Sequence, residues 1–202
     1  MPDLPAGNVA DSSLECVAAT WVFRSLRPSG APLIYIQRMS LIDLIVEHNR
    51  GYAKDYDLAH LTAEPQRQMV IVGCMDARMS FQQTLGLQIG DAHFIRNAGG
   101  IVTDDVVRSL VLSHRLLGTK SLMIINHTDC GLQRLSDEAL NKRFHEESGE
   151  WSDITFHAFT DPRKNVRTQI ERVRSHPWLD FLEVRGFIYD VKTGLLEEVM
   201  PD

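Results

Sequence analysis

Cys74, His127 and Cys130 are the side chains in this sequence best suited to chemistry. Cys74 ends the apolar run Met69-Val70-Ile71-Val72-Gly73. His127 ends a second run, Leu122-Met123-Ile124-Ile125-Asn126, and Cys130 follows three residues later. Two thiolates and an imidazole are the donors that zinc favours, and a catalytic zinc typically takes three protein ligands and keeps a fourth position for water. Asp76 and Arg78 follow the first of the three, in Cys74-Met75-Asp76-Ala77-Arg78. A guanidinium at that spacing keeps the carboxylate ionised and fixes its orientation through paired N–H donors. Asp76 can then accept a hydrogen bond from a zinc-bound hydroxide and steer the oxygen lone pair towards an electrophilic carbon. A purely structural zinc site would instead be closed by four protein ligands. Cys16, Asp76 or another carboxylate would have to supply the fourth.

The pattern around these residues tells which elements must carry them. Short apolar runs bounded by turn residues suit strands buried on both faces of a parallel sheet, which places strands at 69–73 and 121–126. A shorter strand is expected at Ala92–Ile95. Residues 40–56 have apolar positions at helical spacing, with Ser40 as N-cap and Asp43 as its capping-box partner. A short helix fits 80–86. Thr103 caps a further helix whose first turn holds Asp104 and Asp105, where acidic residues complement the helix dipole, and Gly118 closes it. Residues 137–147 and 162–175 read as helices. Glu183–Asp190 alternates, and Lys192-Thr193-Gly194 turns the chain into Leu195–Val199, a hairpin at a sheet edge. The alternation of strand and helix predicts an α/β fold: a mostly parallel central sheet flanked by helices, with an N-terminal helical arm and a C-terminal edge hairpin. In such sheets ligands bind beyond the carboxyl ends of the strands. Cys74 and His127 both fall there, so residues distant in sequence can converge.

Composition narrows the function classes. At 202 residues the chain fits one domain with an appendage. A net charge of −6 gives no basic footprint for nucleic acid. No apolar stretch approaches the roughly 18 residues of a membrane span. Three cysteines, two of them in the ligand positions, argue against a disulfide framework and for a reducing compartment, the cytoplasm. Residues 1–38 differ in character, with Pro2, Pro5, Pro28 and Pro32 and no sustained period. They read either as an irregular N-terminal extension or as sequence upstream of a start at Met39. The domain-like pattern occupies 39–202.

The pairing of Cys-x-Asp-x-Arg with a later His-x-x-Cys resembles the β-class carbonic anhydrases. Arg96-Asn97-Ala98-Gly99-Gly100 and Thr103-Asp104-Asp105 are similar to that family too, and the resemblance runs from about Met39 to Val199. The short length before Cys74 resembles the compact bacterial branch, which includes carbonyl sulfide and carbon disulfide hydrolases. The resemblance implies one Zn²⁺ per subunit on Cys74, His127 and Cys130, with Asp76 and Arg78 as the catalytic pair. It also implies a closed state in which Asp76 becomes a fourth ligand. The implied reaction is reversible hydration of carbon dioxide to bicarbonate and a proton. Hydrolysis of carbonyl sulfide or carbon disulfide by the same hydroxide is the alternative, and a non-catalytic zinc- and bicarbonate-binding module is a third reading. Gly99 and Gly100 are candidate substrate-binding residues, donating N–H groups to a substrate oxygen; the competing reading is a tight turn entering the Thr103 helix. Gln82 and Gln83 are weaker candidates for a substrate contact. The resemblance further implies a homodimer or homotetramer.

Overall fold

The computed structural model describes residues 20–26 and 32–200, with side chains from Met39 onward. It divides into two compact units between His60 and Leu61. In the first, β1 (Thr20–Leu26) and β2 (Pro32–Arg38) pair antiparallel, Phe23 opposite Tyr35. These residues lie inside the stretch expected to be irregular. Trp21-Val22-Phe23 and Ile34-Tyr35-Ile36 are β-branched and aromatic runs, and strand pairing outweighed the disruptive prolines around them. The rest of that expectation, and Cys16 with it, lies outside the described residues. Helix α1 (Leu41–Tyr52) follows, with a 3-10 turn at Ala53–Asp55 after it. Its N-terminus carries the expected capping box, with the Ser40 hydroxyl accepting from Asp43 N and the Asp43 carboxylate accepting from Ser40 N. The boundary expected at 38/39 falls inside this unit.

The second unit is built on a five-stranded sheet. In chain order its elements are β3 (Met69–Cys74), α2 (Phe81–Leu85), β4 (Ala92–Asn97), α3 (Asp104–Arg115), β5 (Ser121–His127), α4 (Asp137–Ser148), α5 (Pro162–Arg174), β6 (Glu183–Tyr189) and β7 (Leu196–Val199). Strand order is β4-β3-β5-β6-β7, parallel except for β7, which forms the antiparallel edge hairpin with β6. The expected α/β architecture is therefore the observed one.

Alternation along the strands explains why both faces are dry. Val70 and Val72, Leu122 and Ile124, and Val184 and Ile188 belong to one core cluster with Val106 and Leu110 of α3 and Val166, Ile170 and Val173 of α5. Ile71, Ile125 and Phe187, at the alternate strand positions, belong to a second cluster with Met79, Phe81 and Leu87. Period-two alternation sends successive side chains to opposite faces, and helices or loops cover each.

The helix ends follow their local chemistry. Thr103 Oγ1 accepts from Val106 N, Ser136 Oγ from Ala139 N, and Asp161 Oδ1 from Arg163 N and Lys164 N with Pro162 in the first turn.

Helix α5 lies so close to the sheet that β6 must carry a glycine opposite it. A Cβ on Gly186 would sit 2.2 Å from Val166 Cγ1 and 2.8 Å from Ile170 Cδ1. Gly186→Ala should therefore cost about 1–3 kcal/mol by overpacking, read as a lower midpoint in equilibrium urea denaturation.

Candidate metal centre

The strand order puts the three sequence-predicted ligands together. β4 lies on one side of β3 and β5 on the other, so the chain changes direction across the sheet between β3 and β5. Crevices of this kind open beyond the carboxyl ends of the two strands. Cys74 is the last residue of β3, and His127 the last of β5. A tight turn through Asp129, whose φ is +59°, then brings back Cys130. The two sulfurs and an imidazole nitrogen lie within 4.8 Å of one another, and all three residues are buried.

His127 has the hydrogen bonding that a ligand histidine would need. Its Nδ1 lies 2.8 Å from Thr128 O, a bond that requires the proton on Nδ1 and leaves a lone pair on Nε2. Nε2 is buried and has no hydrogen-bond partner. A buried polar atom left in that state is costly unless something occupies its lone pair. A soft divalent cation between this nitrogen and the two sulfurs satisfies it, and the donor set suits zinc.

The two thiols are coupled through one proton. Hydrogen bonding from Cys130 drives the Cys74 thiol far below the ordinary cysteine range, against the opposing effect of burial. The same contact and burial together push Cys130 far above it. The shared proton favours Cys74 as the thiolate of the pair. Backbone hydrogen bonding from Asp76 and Gly99 lowers the Cys74 thiol further.

Asp76 and Arg78 form the pair expected of them. Arg78 Nε lies 3.0 Å from Asp76 Oδ1, Nη2 lies 2.8 Å from Oδ2, and the Arg78 backbone N–H donates to Oδ1 at 2.9 Å. The guanidinium holds the Asp76 carboxyl well below the usual carboxylate range, although its partial burial works the other way. Asp76 Oδ2 stands 3.8 Å from His127 Nε2. Arg96, in the loop motif Arg96-Asn97-Ala98-Gly99-Gly100, braces the same segment. Its Nε donates to Cys74 O and its Nη2 to Asp76 O, at 2.9 and 2.7 Å.

One residue of the site was not singled out from the sequence. Asp129, inside the His-x-x-Cys turn, accepts from Arg78 Nη1 at 3.1 Å and also pairs with Arg134. Arg78 therefore bridges a carboxylate from each ligand loop. The signal available was an acidic residue between two ligands, opposite an arginine already assigned to a carboxylate.

Gly99 and Gly100 form a short 3-10 turn at the end of β4, both buried and both with positive φ, +77° and +64°. A Cβ on Gly100 would meet Cys74 N and Gly73 C at 3.0 Å. Gly99 lines a cavity of about 530 Å³ whose wall includes the three candidate ligands and Asp76. Met75, Ala98, Leu132, Leu135 and Leu140 make the rest of it largely apolar. Gln82 and Gln83 are exposed on α2 and do not line this cavity.

Comparison with known proteins agrees with the geometry. The family model described as carbonic anhydrase matches residues 69–196. The chain belongs to the β-carbonic anhydrase family. It is 38% identical over 164 residues to β-carbonic anhydrase 1 of Mycobacterium tuberculosis, covering 81% of this chain and 100% of that one. A carbon disulfide hydrolase of Acidianus sp. is 32% identical over 171 residues, covering 72% and 84% of the two chains. Among solved structures, the carbonic anhydrase of Streptococcus mutans superposes with a TM-score of 0.77 at 38% identity, covering 81% of this chain and 100% of that one.

The shared proton gives a direct test. Metal-stripped protein should retain one thiolate, seen by ultraviolet thiolate absorbance, at pH values well below the ordinary cysteine pKa of about 8.5. Cys130→Ala removes the donor, so the Cys74 titration should move upward. No movement would show that Cys130 does not hold the Cys74 thiolate.

Proposed function

We propose that this chain binds one Zn²⁺ through Cys74, His127 and Cys130 and catalyses reversible hydration of carbon dioxide to bicarbonate and a proton. The observation that carries this reading is the bidentate Asp76–Arg78 pair beside a convergent Cys₂His group, in the wall of an apolar cavity. When bound, zinc supplies the Lewis acidity that makes water a competent nucleophile near neutral pH. The remaining work falls to the protein's own groups.

Asp76 Oδ1 is occupied by Arg78 Nε and the Arg78 N–H, while Oδ2 takes Nη2 and keeps a lone pair near His127 Nε2. Oδ2 therefore accepts the hydrogen bond of the attacking water and fixes the direction of its oxygen lone pair. A carboxylate held this firmly ionised is a poor base, so Asp76 orients the nucleophile and does not carry the proton away. The proton leaves to solvent or buffer. The apolar wall suits a small, linear, uncharged substrate and excludes competing water. Gly99, which lines the cavity, is proposed as the backbone that approaches the substrate, whereas Gly100 is not part of the wall.

Two thiolate ligands need a reducing environment, which supports a cytoplasmic location. No helix among the described residues is long and apolar enough to cross a membrane. Leu41, Ile42, Ile45 and Val46 lie exposed on α1 at helical spacing, which supports assembly into a homodimer or homotetramer.

A second reading, hydrolysis of carbonyl sulfide or carbon disulfide, draws on the similarity to the carbon disulfide hydrolase and on the same cavity. Stopped-flow hydration of carbon dioxide by zinc-loaded protein, run beside sulfide release from both sulfur substrates, separates the readings. Rapid hydration is the expected result. Faster sulfide release transfers the assignment, and no turnover of any substrate at full metal occupancy removes it. Asp76→Ala should keep its zinc while turnover falls at least about tenfold, as for other changes beside metal ligands. Asp129→Asn leaves Arg78 with a weaker second partner and should lower turnover by less.

A further inference from the structure

Polar side chains are scarce in the core of the second unit, and two of them, Asn126 and Gln169, lie in one chain of hydrogen bonds. Asn126 is 1% exposed, Gln169 is 6% exposed, and half-buried Asn165 sits between them. Val102 N donates to Gln169 Oε1 at 2.8 Å. Gln169 Nε2 donates to Asn165 Oδ1 at 3.0 Å, and Asn165 Nδ2 to Asn126 Oδ1 at 2.7 Å. Asn126 Nδ2 then donates to Gly99 O at 3.0 Å and Gly100 O at 3.4 Å.

Three carboxamides in series have a polarity, and here both ends dictate it. Val102 offers an N–H, which only an oxygen can meet. Gly99 and Gly100 offer carbonyls, which only an N–H can meet. Each amide must therefore present oxygen towards Val102 and nitrogen towards Gly99. Asn165 and Gln169 stand four apart on α5, which places both on one face of the helix. The chain thus begins and ends on the same short segment, residues 99–102, after passing through α5 and β5.

That segment touches the candidate ligand directly. Gly100 packs so tightly on Cys74 N that a Cβ there would lie 3.0 Å away, and backbone hydrogen bonding from Gly99 favours the Cys74 thiolate. A hydrogen bond to a thiolate withdraws charge from sulfur and so changes how strongly it donates to a metal.

We propose that Asn165 and Gln169 are positioning residues for the metal site: with Asn126 they form a carboxamide relay that holds the Gly99–Gly100 turn against Cys74. The proposal rests on the reading of Cys74, His127 and Cys130 as metal ligands. Neither α5 residue touches a ligand or the substrate cavity's reacting centre. They act through the glycine turn.

The test uses cobalt(II) in place of zinc in the full-length protein, because thiolate-to-cobalt charge transfer reports the electron density on sulfur. Gln169→Glu keeps the side-chain volume and the oxygen for Val102 N, but sets a carboxylate oxygen against Asn165 Oδ1. Gln169→Leu removes both contacts without adding charge, and covers the case in which the buried carboxylate prevents folding. Glu171→Ala, on the exposed side of the same helix, is the control. The charge-transfer band should move to longer wavelength in the folded Gln169 variants and stay in place in the control. A loss of fold or of melting temperature alone would not move it. Bands coincident with the parent's in both variants, at one cobalt per chain, would overturn the relay while leaving the metal site standing. Failure of the parent itself to take up one cobalt per chain would overturn the metal reading, and the relay with it.

Discussion

The pairing of β3 with β5 is the constraint on which everything else at the candidate site depends. Val72 lies opposite Ile124 and Gly73 opposite Ile125, which delivers Cys74 and His127 to adjacent strand ends. Strand side chains alternate faces, so a slip of one residue would turn one ligand away from the other. The register is secured by Val70, Ile71, Val72, Leu122, Ile124 and Ile125, all nearly or wholly excluded from solvent. Their alternating shapes fit helices on one face and the α2 region on the other, and a shifted register would misplace both sets at once. The site therefore inherits its geometry from the buried centre of the sheet, while its loops supply the groups that adjust charge.

Charge at the site is closely balanced. Two thiolates and a neutral imidazole match a divalent cation, leaving a formally neutral set. Asp76 and Asp129 are matched by Arg78 and Arg134. This balance explains how a cavity lined by Met75, Leu132, Leu135 and Leu140 can sit directly against three potentially anionic side chains, Cys74, Asp76 and Cys130. On the proposed reaction a neutral molecule enters such a pocket without losing much hydration. The anionic product then finds itself beside the Asp76 carboxylate in an apolar surrounding, where like charge and poor solvation both favour its release. Arg78 is half exposed, so its exposed ion pairs do little for stability. Their value lies in holding Asp76 ionised and aimed.

The sequence made the local parts of this arrangement readable and left the distant parts obscure. Cys-x-Asp-x-Arg is a spacing that a single loop enforces, so the Asp76–Arg78 pair could be read directly. The ligand positions followed from two apolar runs ending in Cys and His, because parallel strands leave their carboxyl ends on one side. Helix starts at Ser40, Thr103, Ser136 and Asp161 carry their own caps, and the glycines at 86, 118 and 149 mark ends through positive φ. Asp129 was not singled out because its partner Arg78 lies fifty-one positions away and no periodicity connects them. The leucines of the cavity wall were equally invisible, since an apolar residue facing a cavity has the same spacing as one facing the core. His145 is half-buried and stacked on Trp151, a contact formed across the end of α4 that helix spacing does not encode. Strands β1 and β2 were missed for the opposite reason, since prolines near them outweighed a genuine β-rich composition.

The buried amides show how a core can carry polar residues without loss of stability. Residues 97–102 leave regular structure inside the protein, and each peptide there needs a partner that water cannot supply. Asn97 meets both polar groups of Ile101, at 2.9 and 2.8 Å, Gln169 meets Val102 N, and Asn126 meets the carbonyls of both glycines. Apolar side chains would fill the same volume but leave those groups unsatisfied, at roughly 1–3 kcal/mol each. Carboxylates would satisfy only the N–H groups and add buried charge. Carboxamides alone offer donor and acceptor together, so the turn can be both buried and fixed in orientation. That turn also packs on the backbone of Cys74. A demand set by backbone hydrogen bonding thus fixes the turn beside a candidate metal ligand, through side chains that α5 and β5 carry.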